Sequence, residues 1–255
     1  MTRTILLTGA TGGLGQALVE ELTQEPTHFI LVGRKEPILK ELKDTFTSDT
    51  VTVDYIVCDL SKEQDRQMCL NALPEQIDII IHNAGYGIFE EAHLFTDNTV
   101  EHMFSVNILS PIVLTNALLP KLYKQGKGHI IFVASQASKM ATPKSSIYSA
   151  TKFGLRGYAN ALRLEAKKHG IFVTTVNPGP IDTGFFDIAD KTGQYQKAVA
   201  NTMLTAKDVA RKISRRIFRP TREINLPFSM AVAAVLYEVL PTVSDRLVLK
   251  LFNKK

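Results

Sequence analysis

Short apolar runs alternate along the chain with longer stretches in which apolar residues recur every three or four positions. The runs are TILLT (4–8), HFILV (28–32), VTVDYIV (51–57), IDIII (77–81), HIIFVA (129–134) and IFVTTV (171–176). Between them lie segments such as Leu14, Leu18, Leu22 and Leu155, Tyr158, Leu162. The first spacing suits strands and the second amphipathic helices, so the pattern predicts βαβ units and a parallel sheet with helices on both faces. IDIII and HIIFVA are apolar throughout rather than alternating, as strands covered on both faces are. The longest stretch without Lys, Arg, Asp, Glu or His runs from Met103 to Pro120. Its length touches that of a membrane span, but Asn107, Pro111 and Asn116 lie inside it. The better reading is a buried helix of a soluble core.

With 255 residues, 45% hydrophobic and 22% charged, the chain can bury a sizeable core without disulfides or metal. No Pro/Gly/Ser-rich linker or repeat divides it, so a single domain over residues 1–255 is expected. Cys58 and Cys69 are its two cysteines and show no metal-ligand spacing, so no metal site is expected. The three aliphatics near the start are too short for a secretory apolar region, and a cytoplasmic protein is expected. Residues 1–205 carry 19 basic and 21 acidic groups, whereas 206–255 carry 11 and 4. The basic excess therefore belongs to the last fifth of the chain, which argues against a nucleic-acid surface over the whole protein.

The first strand runs directly into Thr8-Gly9-Ala10-Thr11-Gly12-Gly13-Leu14-Gly15 and then a helix. Glycines at such a junction let backbone approach a pyrophosphate at the positive helix N-terminus. The second strand ends at Gly33-Arg34-Lys35, where a site for NAD would want an acid for the ribose hydroxyls. Arg34 instead can fork onto a 2′-phosphate, with Lys35 as helper, which points to NADP(H). Tyr148 and Lys152 stand four apart on one helix face. A neighbouring ammonium would lower the phenol pKa from its usual value near ~10 and make it a better proton donor. Tyr123 and Lys127 repeat that spacing, and each Tyr has a Ser thirteen positions earlier, Ser135 and Ser110. Context separates the sets. Ser135 closes an apolar strand, where open α/β sheets present their ligand crevice. Ser110 sits inside the long apolar helix, and Lys127 lies beyond Gly126.

Taken together these motifs resemble the short-chain dehydrogenase/reductase family, over residues 4 to about 185. Thr8-Gly9-x-x-x-Gly13-x-Gly15 is similar to the family's cofactor turn. Cys58-Asp59-Leu60 resembles its adenine-contacting segment, and His82-Asn83-Ala84-Gly85 its Asn-Asn-Ala-Gly, with His replacing the first Asn. Asn107, Ser135, Tyr148 and Lys152 match the active-site tetrad. Asn177-Pro178-Gly179-Pro180-Ile181-Asp182-Thr183 resembles the segment that holds the nicotinamide carboxamide. The resemblance implies a single-domain α/β Rossmann fold, a doubly wound, mostly parallel seven-stranded sheet with helices on both faces.

It also implies a cofactor site made of Gly9, Thr11, Gly12, Gly13, Leu14, Gly15, Arg34, Lys35, Asp59, Leu60, Asn83, Ala84, Gly85, Tyr148, Lys152, Pro178, Gly179, Ile181 and Thr183. Many NADP-preferring members carry a basic residue where this chain has Gly12, so the preference here rests on Arg34. The implied reaction is NADP(H)-dependent hydride transfer to or from a small-molecule carbonyl or alcohol. Tyr148 would be the acid/base, Ser135 the holder of the oxygen, Lys152 the residue that lowers the Tyr148 pKa and binds ribose, and Asn107 the anchor of a relay water. A homodimer or homotetramer is implied as well. A non-catalytic NADP(H)-binding sensor or scaffold is the alternative; it would usually lack the Tyr or the Lys. A methyltransferase on a similar fold would need neither Ser135 nor Tyr148.

Phe89, Met140, Phe185 and Phe186 suggest an apolar substrate pocket, with residues 184–205 as a lid. The C-terminal extension, 224–255, resembles the family least. Arg211, Arg215, Arg219 and Arg222, with Lys212 and Arg216, make one broad basic face if their stretch is helical. The apolar segment 226–240 and the tail ending in Lys254 and Lys255 then read as an interface or pocket-capping helix, with weak membrane-surface contact as the second reading.

Overall fold

The computed structural model describes residues 2–190 and 193–252. All six apolar runs form strands: β1 (Arg3–Thr8), β2 (Thr27–Gly33), β3 (Val51–Val57), β4 (Ile79–His82), β5 (Gly128–Val133) and β6 (Ile171–Pro178). A short pair, β7 (Ile181–Asp182) and β8 (Leu204–Thr205), follows, and β9 (Glu223–Leu226) completes the main sheet. Its order is β3-β2-β1-β4-β5-β6-β9, parallel throughout. β4 and β5 are buried at every position, which is why their sequences lack alternation. β3, at the edge, exposes Thr52, Asp54 and Val57.

The crossovers are α1 (Gly13–Leu22), α2 (Glu36–Phe46), α3 (Glu63–Ala72), then α4 (Asp97–Phe104) continuing through a π-helical segment, Ser105–Leu109, into α5 (Ser110–Gln125). They are followed by α6 (Ser146–Lys167), α7 (Phe185–Ala189), α8 (Gln194–Val199), α9 (Ala206–Ser214), α10 (Phe228–Val239) and α11 (Pro241–Phe252). Leu14, Leu18 and Leu22 of α1 pack with Leu39 of α2 and Val209 of α9 on one face of the sheet. Leu114 and Leu118 of α5 and Leu155 and Leu162 of α6 cover the other. The fold is the doubly wound α/β architecture expected. The chain passes outward from β1 to β3 and returns across β1 to β4, so a crevice opens at the carboxyl ends of β1 and β4.

The helical run Asp97–Gln125, which contains the stretch 103–120, is long and apolar enough to cross a membrane by length and composition. Here it has a buried face, Met103, Asn107, Ser110, Leu114 and Leu118, against the sheet, and an outer face with Phe104 and Leu109 exposed. The single basic helical face does not form. α9 ends at Ser214, and Arg215, Arg216, Arg219 and Arg222 lie in turns beyond it. Phe218 has φ 53° and Pro220 follows two residues on, both incompatible with continuing that helix. Residues 224–226 of the extension belong to β9; Lys254 and Lys255 lie outside the described residues, as do Lys191 and Thr192 of the lid.

Candidate active site

The glycine turn is shaped by what each position can hold. Gly9 has φ 67°, and a Cβ there would lie 2.7 Å from the Ala84 Cα. At Gly15 a Cβ would lie 2.3 Å from the Gly9 carbonyl oxygen, and at Gly13 2.7 Å from Thr183 Cγ2. Gly12 is exposed and its Cβ would meet nothing nearer than 3.5 Å. The N-terminus of α1 carries no acidic residue in its first turn and no side-chain cap, so its N–H groups are oriented for an anion. Asn83 fixes this turn to β4: its Nδ2 donates to the Thr8 and Gly9 carbonyls at 3.2 and 3.0 Å. The Asn83 and Ala84 N–H groups donate to Thr8 Oγ1. Thr8, the first residue of the turn motif, is a positioning residue whose hydroxyl ties the turn to the end of β4. These features fit a pyrophosphate-bearing dinucleotide.

Arg34 and Lys35 are exposed at the end of β2, beside the crevice. Gly33 leaves room for Thr11, whose Cγ2 would lie 2.8 Å from a Cβ at that position. The Asp59 carboxylate takes two hydrogen bonds from Ser61. Its burial opposes ionisation, but those bonds and the nearby Arg34 guanidinium and His102 side chain outweigh it and hold the carboxyl below its ordinary range. Leu60 is buried in the core, and its carbonyl accepts from Arg66 Nη1 at 2.8 Å. His82 accommodates its departure from the family pattern by packing. Its Nε2 pairs with Thr115 Oγ1 at 2.8 Å, its ring stacks on Phe132, and burial pushes its pKa down to about 3.

Ser135 leaves β5 and caps the 3₁₀ turn Gln136–Ser138, accepting from the Ala137 N–H at 3.0 Å. Tyr148 and Lys152 are both buried on α6, one turn apart. Burial pushes the Tyr148 phenol up to about 12, against a hydrogen bond with the Ser135 side chain that lowers it and a contribution from Tyr195 that raises it. Burial pushes Lys152 down to about 8. The expected lowering of the Tyr148 pKa by Lys152 is not what this geometry gives. Lys152 Nζ lies 5.8 Å from the Tyr148 ring centroid and donates instead to the Val133 carbonyl at 3.1 Å. Asn107 sits in the π-helical segment, and a Cβ at Gly85 would lie 3.2 Å from both Asn107 Oδ1 and Lys152 Nζ. Asn107 brackets Tyr86, accepting from its N–H at 3.0 Å and donating to its carbonyl at 2.8 Å. The competing set does not assemble. Ser110 bonds its own helix at Val106, Tyr123 stacks on His169, and Lys127 lies over Phe218 beyond the αL Gly126.

Phe89 and Phe185 pack on Tyr148, and Phe186 packs on both phenylalanines. Ring centroids lie 5.9 Å apart for Phe89 and Tyr148, 5.8 Å for Tyr148 and Phe185, and 6.4 Å from Phe89 to each lid phenylalanine. Tyr195 of α8 joins them, 4.8 Å from Phe89 and 5.8 Å from Phe186. It lies in polar sequence with no periodicity to single it out. Gly87 is small of necessity, because a Cβ there would touch both Phe185 and Tyr148 at 3.0 Å. Met140 is half-buried after the 3₁₀ turn, its N–H donating to the Gln136 carbonyl at 3.1 Å. Pro178 closes β6, Gly179 packs against Met230 and Pro227, and Ile181 is on β7.

A second polar cluster lies behind Ser135. Glu223 of β9 accepts from Lys139 Nζ at 2.5 Å and from Arg156 Nε at 3.2 Å. Burial alone would raise its carboxyl, but hydrogen bonds from Lys139, Asn225 and Arg156 outweigh this and hold it at about 2. Asn225 in turn accepts from Asn177 Nδ2 at 2.9 Å, and Asn177 Oδ1 accepts from Ser138 Oγ at 3.1 Å. The cluster thus joins the turn after Ser135 to the end of β6.

The short chain dehydrogenase family model matches residues 3–193. Sepiapterin reductase from Chlorobaculum tepidum is 27% identical over 234 residues, covering 88% of this chain and 93% of that protein. A short-chain dehydrogenase from Sphingobium yanoikuyae, solved with NADPH, superposes with a TM-score of 0.83 at 23% identity, covering 96% and 94% of the two chains. A short chain dehydrogenase/reductase from Burkholderia phymatum, solved with NAD, gives 0.86 at 21% identity and 95% of each. With the family model matching about three quarters of its length, the chain belongs to the short-chain dehydrogenase/reductase family of oxidoreductases.

Proposed function

We propose that the protein is an NADP(H)-dependent oxidoreductase acting on the carbonyl or alcohol of a hydrophobic small molecule. The observation that carries this reading is the convergence of Ser135, Tyr148 and Lys152 beside the glycine turn, under an aromatic wall of Phe89, Phe185, Phe186 and Tyr195. The related structures hold NADPH in one case and NAD in the other, so the fold accommodates either, and the preference here rests on Arg34. Its guanidinium suits a 2′-phosphate, and Gly12 and Gly13 at the start of α1 suit the pyrophosphate.

When bound, the nicotinamide supplies or accepts the hydride. Tyr148, with a pKa near 12, is protonated at neutral pH and positioned to give its proton to a carbonyl oxygen. Ser135 donates a hydrogen bond to that oxygen and stabilises developing alkoxide charge. Lys152 would hold the nicotinamide ribose, while Asn107 fixes Tyr86. The aromatic wall excludes water and favours apolar substrates. The two free, buried cysteines suit a reducing compartment such as the cytoplasm. Phe104, Leu109, Phe153 and Leu164 are exposed on α4–α6, and a Cβ at Gly157 would meet nothing. This face suits a second copy in a homodimer or homotetramer.

The test is Tyr148→Phe. Nucleotide affinity should be unchanged while turnover of an apolar ketone falls roughly 10²–10⁴-fold. Equal loss of binding and turnover would refute the role of the phenol.

A further inference from the structure

Helix α10 is apolar on both sides. Ala234 and Met230 face the body of the protein, where α10 packs on β9 and the turn after Ser135, and Met230 reaches Gly179. The outer side presents Phe228, Val232, Val235, Leu236, Val239 and Leu240, spaced at helical intervals and 44–80% exposed. α11 continues the surface with Val243, Leu247 and Leu249. A helix that is apolar all round is normally covered on all sides, and a patch of this extent marks a site of interaction.

Charge identifies the partner. The single charged residue of α10, Glu238, is paired with Arg156 at 3.4 Å. α11 carries Asp245, Arg246 and Lys250, and the sequence ends Lys254-Lys255, so four cations and two acids occupy residues 228–255. The net charge of residues 228–255 is positive, which favours an anionic partner over a second copy of the same sign, and the apolar side chains of α4–α6 already offer a surface for self-association. An anionic lipid surface answers both the apolar side chains and the cations. Each helix has 12 residues, a length of about 18 Å against the ~30 Å hydrocarbon layer. Neither helix alone is long enough to span a bilayer.

We propose that the α10–α11 segment lies on, and seats the protein on, an anionic phospholipid bilayer. Its outer apolar side chains enter the acyl boundary, and Arg246 and Lys250 meet the headgroups. Flotation of the full chain with vesicles of phosphatidylcholine, alone or mixed with phosphatidylglycerol, tests this. Binding is expected to the mixed vesicles, to weaken in high salt and to be lost in Val235→Glu/Val239→Glu, whose sites are exposed and leave the core untouched. Arg246→Ala/Lys250→Ala should weaken it by about thirty-fold. Absence of vesicle binding by the parent chain overturns the proposal. So does light scattering that shows an oligomer dissociated by Val235→Glu/Val239→Glu, which would make the occupant a second copy. NADPH titration of the same samples reads the nucleotide site independently, so failure here is distinguishable from failure of the proposed reaction.

Discussion

Tyr148 and its neighbours show how much of the chemistry is decided by individual side chains and by the room left for them. Type and spacing singled out Ser135, Tyr148 and Lys152, because an apolar strand and a helix must bring them to one end of the sheet. The electrostatics were not legible in that spacing. Adjacent turns put Lys152 near Tyr148, but only the fold shows Lys152 Nζ directed at the Val133 carbonyl and burial dominating both groups. The glycine turn yields a prediction of the same kind. Gly15→Ala would force a Cβ to 2.3 Å from the Gly9 carbonyl and should cost about 1–3 kcal/mol in urea denaturation. Gly12→Ala meets only ordinary contact and should leave stability within about 0.5 kcal/mol. Equal losses would contradict the description of the turn.

At the level of elements, strands and crossovers were readable because parallel strands must be apolar and helices must repeat every three or four residues. The ends were not: the basic stretch reads as one helix in sequence, yet Phe218 and Pro220 divert it. Least legible was the link between β9 and the turn after Ser135, since Lys139 and Glu223 are 84 residues apart. Glu223→Gln should leave the Lys139 ammonium buried without its counter-charge and lower the free energy of unfolding by about 3 kcal/mol. Urea denaturation measures it, and no change would show that the cluster contributes nothing to holding the two elements together.

For the whole molecule, acid stability follows from two histidines packed into the sheet layers. Burial drives His82 to about 3 and His129 to about 4, so both stay neutral in the folded protein while the unfolded chain protonates them below about 6.5. The unfolded state therefore binds more protons, and stability falls as pH drops from about 6.5 towards 4, by roughly 1.4 kcal/mol per pH unit for each histidine. His82→Asn should remove about one histidine's share of that slope, read from denaturation curves at pH 6 and pH 5. An unchanged slope would contradict the burial argument.

The proposed preference for NADP(H) rests on Arg34 meeting a 2′-phosphate beside the glycine turn. Titrating NADPH and NADH into the protein and following nucleotide fluorescence tests this most directly; the chain has no Trp to interfere. NADPH should bind at least about ten-fold tighter, and Arg34→Ala should erase the difference by removing a charge-assisted contact. Equal or tighter binding of NADH would show that Arg34 does not read the phosphate. Binding of neither would contradict the oxidoreductase assignment of this site.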